Sequence, residues 1–85
     1  MPQQRMQDAR RQLSGLQLLA YKTEQAERRI LQAAEERLDA VQSELGTLRP
    51  RALADADAAE RYQALILERG KLQQVIARSR QHLSA

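Results

Sequence analysis

The sequence has no cysteine, no tryptophan and no phenylalanine, and its only aromatic side chains are Tyr21 and Tyr62. Without cysteine, disulfides, thiolate metal sites and a cysteine nucleophile are excluded. A lone histidine, His82, cannot by itself make a histidine-based metal site or a catalytic triad. Three glycines and two prolines in 85 residues supply too few turns for a β-sandwich or barrel. Long apolar runs are missing as well. The longest, Leu18–Tyr21 and Ala64–Leu67, have four residues each, against the roughly 20 that span a bilayer. No basic stretch followed by an apolar run opens the chain, so the expectation is a soluble, cytoplasmic protein with no membrane contact.

What remains is a helix-forming composition. Ala, Leu, Gln, Arg and Glu dominate, and all of them favour helix. The chain is short enough for one domain, and its core must come from Leu, Ile, Val and Ala. Gly46 and Pro50 form the strongest stop signal in the sequence, since glycine just past a helix end and proline soon after it terminate helices. The reading is therefore all-α: an antiparallel two-helix, coiled-coil-like hairpin. Helix 1 is expected over about residues 3–46, with a bend available at Ser14-Gly15. A connector follows near 46–51, reaching 56 at most, and helix 2 ends near 84. Helix 2 has two candidate starts, Pro50 in its first turn or Asp57 as its cap with Glu60 completing a capping box.

Apolar or small residues recur along helix 1 at Met6, Ala9, Leu13, Leu16, Ala20, Thr23, Ile30, Ala34, Leu38, Val41 and Leu45. The consecutive fours at 30–34–38 suit a nearly straight helix. Helix 2 carries Tyr62, Leu65, Leu72, Ile76, Ser79 and Leu83, flanked by Ile66. Two charged residues, Glu27 and Arg69, fall within these stripes. A reversal at residues 48–49 brings them face to face, where they could fix the register; the alternative is that each reaches water along its stem. Charge is segmented: residues 1–23 sum to +3, 24–48 to −3 and 62–85 to +3. The expected reversal then gathers the two basic segments at the open end.

A lone helix pair leaves much of its apolar surface open. Leu18, Leu19 and Tyr21 point away from the Leu16/Ala20 stripe, and Leu67 and Val75 leave the main face of helix 2. Residues apolar on more than one side call for more than one neighbour. A protein partner or self-association is expected at Leu18, Leu19 and Tyr21. Chemistry, by contrast, has no foothold. Glu24 and Arg28 are one turn apart and form a surface pair. Glu35-Glu36 reads as a solvated patch, and Gly15, Gly46 and Gly70 are isolated, with no phosphate loop. His82 suits a helix C-terminus. No catalytic, metal or cofactor-binding residue is assigned, and an enzyme is not expected. Gly70 in mid-helix suggests close approach of another backbone, or simple tolerance at about 1 kcal/mol.

After an Ala/Asp-rich lead, Asp57-Ala58-Ala59-Glu60-Arg61 is followed by Tyr62-Gln63, and then by Glu68, Leu72 and Ile76-Ala77. This stretch, residues 57–77, resembles the second helix of the small needle co-chaperone family of type III secretion systems. Those proteins are short helical hairpins whose second helix opens with Tyr-Gln. The resemblance implies a cytosolic partner, a tetratricopeptide-like chaperone, with which the small protein keeps the needle subunit soluble and monomeric before export. It carries over Tyr62, Leu65, Ile66, Leu72 and Ile76 as contact residues. The longer first helix and the more basic ends depart from the family. Two rival readings stand beside it. One is a dimeric hairpin that binds nucleic acid through its basic end, disfavoured by the small net charge and the lack of an aromatic platform. The other is a coiled-coil stalk subunit of an export or phage machine.

Overall fold

The computed structural model describes the backbone of residues 2–84 and the side chains from residue 14 to 84. It contains two helices, α1 (Pro2–Ala52) and α2 (Ala56–Ser84), folded into an antiparallel hairpin 80 Å long and 16 × 15 Å across. Among the described residues no helix is long and apolar enough to cross a membrane.

The hairpin is as expected, but α1 does not stop at Gly46. It runs through Gly46 and Pro50 to Ala52, and the connector is Leu53-Ala54-Asp55 rather than 46–51. The cause is burial. Leu45 and Leu48 pack with Leu65 and Tyr62 at the centre of the hairpin, and that gain outweighs a mid-helix glycine, which costs about 1 kcal/mol. Pro50 sits in the exposed last turn, where Arg49 and Arg51 complement the C-terminal dipole. The Arg51 carbonyl accepts bonds from Ala54 N (3.1 Å) and Asp55 N (3.0 Å), which ends α1.

Asp55, not Asp57 or Pro50, starts α2. Its Oδ1 accepts from the backbone N–H of Asp57 at 2.9 Å and of Ala58 at 3.4 Å, and its carbonyl accepts the first helical bond, from Ala59 N at 3.0 Å. That is the N-cap arrangement. Ala58 stands at the third helical position, so Glu60 completes no capping box. No non-glycine residue in the described chain has positive φ, and the reversal needs no glycine. The helix also passes unbroken through Ser14-Gly15.

The buried rows correct the expected stripe. On α1 the inward positions are Glu27, Leu31, Ala34, Leu38, Val41, Leu45, Leu48 and Ala52, all buried or half-buried. Leu31 takes the place assigned to Ile30, which is 50% exposed. On α2 they are Ala58, Tyr62, Leu65, Arg69, Leu72, Ile76, Ser79 and Leu83. Both rows alternate strictly between steps of three and four, the spacing of a coiled-coil seam. Taken in opposite directions they match step for step, from Ala52 with Ala58 at the turn, through Leu45 with Leu65, to Glu27 with Leu83 at the open end.

Candidate protein-binding face

With the reversal at residues 53–55, α2 reaches back only to the level of Glu27. The preceding part of α1 has no helix beside it. This overhang carries the apolar residues that the sequence marked for a partner: Leu18, Leu19 and Tyr21 are 54%, 61% and 59% exposed. Leu16, expected against helix 2, is exposed there too. A groove begins where α2 ends, floored by Leu16, Leu19, Ala20 and Thr23 and closed at its inner end by Glu27, His82 and Leu83. The Thr23 hydroxyl donates to the Leu19 carbonyl at 2.9 Å, so its hydrogen is satisfied within α1. The stripe positions Met6, Ala9 and Leu13 have side chains outside the described residues.

The contact positions on α2 divide. Leu65 and Ile76 are buried inside the hairpin, so α1 covers them and they are not open to a partner; their heptad spacing puts them on the inward row. Tyr62, Ile66 and Leu72 are half-buried and pack against Val41, Leu45 and Leu65. A shallow groove on the outer side is lined by Tyr62, Gln63, Ile66 and Leu67, with Leu67 68% exposed. Leu16 joins the exposed set because it lies on α1 beyond the end of α2, and Leu67 because it lies off the inward row of α2. Gly70 is exposed, and nothing in the chain lies within 4 Å of a Cβ added there, so no backbone of this chain approaches it closely.

Charge follows the same register. The −3 segment of α1 lies beside the +3 segment of α2, instead of two basic segments meeting at the open end. Glu44 and Arg61 make two hydrogen bonds, at 2.9 and 3.2 Å. Arg37 and Glu68 also pair through two bonds. Arg80 donates to Glu35 at 3.1 Å, and His82 Nδ1 lies 3.0 Å from Glu27 Oε1. Glu27 therefore meets His82 rather than Arg69, which takes the half-buried inward position opposite Val41. The expected Glu24–Arg28 pair is present at 2.7 Å. Hydrogen bonds from Arg61 hold the Glu44 carboxyl below its ordinary range, and those from Arg37 do the same for Glu68. The same bonds raise both guanidinium groups.

Among the described residues no group of three His, Asp or Glu could hold a metal ion. The arrangement offers apolar surface and charge at fixed spacing, which is suited to gripping another helix. Comparison with protein-family models, with curated proteins and with solved structures finds no match for the chain.

Proposed function

We propose that this chain is a non-enzymatic, protein-binding helper of the cytoplasm: a co-chaperone that partners a tetratricopeptide-like chaperone and so keeps a type III secretion needle subunit soluble before export. The observation that carries the protein-binding part is the exposed apolar set Leu16, Leu18, Leu19 and Tyr21 on a helix with no neighbour. Helical-repeat arrays expose edges of paired helices that a further helix can extend. The secretion assignment comes from the resemblance over residues 57–77. Nucleic acid is a poor partner in this reading, because Arg61 and Arg80 are already paired with carboxylates of α1, leaving fewer cations for phosphates.

The test is affinity purification of the full chain from its native host, with mass spectrometry of bound protein and assay of bound RNA. Recovery of a helical-repeat chaperone together with a needle subunit supports the reading. Recovery of RNA, or of a stalk assembly in place of a chaperone, contradicts it. The 80 Å rod is the observation that favours the stalk as the second reading.

A further inference from the structure

α1 carries a second row of apolar and small side chains beside the one that meets α2. Leu16, Leu19, Thr23, Ala26, Ile30 and Ala33 alternate strictly between steps of three and four, and every one of them is exposed. Ala26, Ile30 and Ala33 each precede an inward residue, Glu27, Leu31 and Ala34, by one position. The row therefore runs about 100° round α1 from the α2 side, over about 26 Å of helix. Its one hydroxyl, on Thr23, is bonded to the Leu19 carbonyl, and the row stops at Arg37, which is paired with Glu68. Val75 of α2 borders it. Ile30 and Val75 stand one heptad beyond Arg37 and Glu68 on the same edge, and both are exposed. This second row crosses from the overhang onto the hairpin with nothing covering it.

We propose that this second row is the contact between two copies of the chain, α1 of one lying antiparallel to α1 of the other, with the two-fold axis between residues 24 and 25. Three observations point to a copy of the chain as the occupant. The first is fit. In that register Leu16 meets Ala33, Leu19 meets Ile30 and Thr23 meets Ala26, each twice by symmetry. The interface is isologous and closes at two copies. It covers Leu16, Leu19, Ile30 and Val75, which are 63%, 61%, 50% and 40% exposed in the single chain. The second is room. Leu83 lies level with Glu27, so α2 ends level with Ala26. The second copy's α2, beside its own α1, ends level with Thr23 of the first and runs the other way. The two α2 helices thus occupy different levels, and each overhang lies along the free edge of the other hairpin, next to Val75.

The third is charge. A parallel pair in the same row would run on to set Arg37 against Arg37 and Glu44 against Glu44. The antiparallel order takes each of these far from its own copy. At the two-fold axis Lys22 approaches its own copy on the solvent side, and Glu27 approaches its own on the α2 side. Glu27 is turned to His82, 3.0 Å away. Lys22 is exposed, and its long stem lets the ammonium stay in water. Both encounters are small against the apolar surface covered. The proposal stands on the second row and not on the co-chaperone reading.

Sedimentation of the full chain, with spin-label distances, tests it. A dimer is expected that Leu19→Glu converts to monomer at unchanged helicity, since Leu19 is exposed in the single chain. Tyr21→Glu, on the far side of α1, should leave the dimer as tight as before. Lys22→Gln should tighten it, because a like-charge contact is removed. In a parallel pair Lys22 would lie beside Glu27 of the other copy, and the same change would weaken the dimer. Because the chain has no cysteine, one introduced cysteine labels one position. Labels at positions 32 and 42 should read roughly 25 Å and 55 Å between copies, from 1.5 Å of rise per residue on either side of the axis. A chain that stays monomeric at millimolar concentration overturns the proposal. So does a dimer that survives Leu19→Glu, one that Tyr21→Glu disrupts equally, or one whose two labels read alike, as parallel packing would give.

Discussion

Glu44 faces Arg61 across one edge of the hairpin, and one heptad away on the same edge Arg37 faces Glu68 with the signs exchanged. This alternation favours the observed register. Sliding α2 by one heptad in one direction puts Glu44 opposite Glu68 and Arg51 opposite Arg61. Sliding it in the other puts Arg37 opposite Arg61. Both slips bring like charges together, so charge opposes them alongside the loss of the apolar layers nearest the turn.

Arg61→Glu should lower the thermal midpoint modestly, because an exposed pair is worth about 0.2–1 kcal/mol. Adding Glu44→Arg should recover most of the loss. Circular dichroism melts of the two single variants and the double variant measure the coupling. Equal, additive losses would show that the two groups do not interact.

Acid should weaken the hairpin in a defined window. Glu44 and Glu68 have folded-state pKa values lowered by their arginine partners. Their contribution is fully present above the unfolded value of about 4.3 and is lost as pH falls through the folded values. The midpoint should therefore hold from neutral pH to about 5 and decline below it. The fall should be shallower in a Glu44→Gln, Glu68→Gln chain.

Leu65 is fully buried and Leu67, two residues on, is 68% exposed. Leu65→Ala removes packing at the centre of the core, at a cost of about 2–5 kcal/mol, which is much of what a small fold has. It should melt the hairpin or lower its midpoint sharply. Leu67→Ala should leave the fold intact, and a binding defect in that variant would assign the outer groove of α2 to a partner. Urea titration of both variants separates these outcomes.

Gly46 and Gly70 are helical and exposed, with open space where a Cβ would go. Alanine at each should stabilise the chain, by up to about 1 kcal/mol. A Gly70→Ala chain that is more stable but no longer assembles would show that another molecule's backbone approaches there.

Much of the fold was legible in the sequence, because a chain poor in glycine and proline and rich in helix formers has few alternatives. The turn was misplaced for a physical reason. Gly46 and Pro50 are local stop signals, whereas the burial of Leu45 and Leu48 against Leu65 and Tyr62 is a tertiary gain that local rules do not weigh. The spacing 31–34–38–41–45–48–52 carried the missing information, since it runs through Gly46 without a break. Moving the turn changed the site. It paired Glu27 with His82, laid the acidic segment beside the basic one and left Leu16 without a neighbour. Leu18, Leu19 and Tyr21 were legible as exposed because they fit no single row, while Leu65 and Ile76, carried over by resemblance, proved to be core.

The central claim is that the first part of α1 has no mate within its own chain. Amide hydrogen exchange on the chain at a concentration where it sediments as a monomer tests it most directly. The account expects slow exchange over residues 31–48 and 62–79, where the two seams interlock, and much faster exchange over residues 2–23. Protection over 2–23 equal to that over 31–48, in a chain that sediments as a monomer, would contradict it.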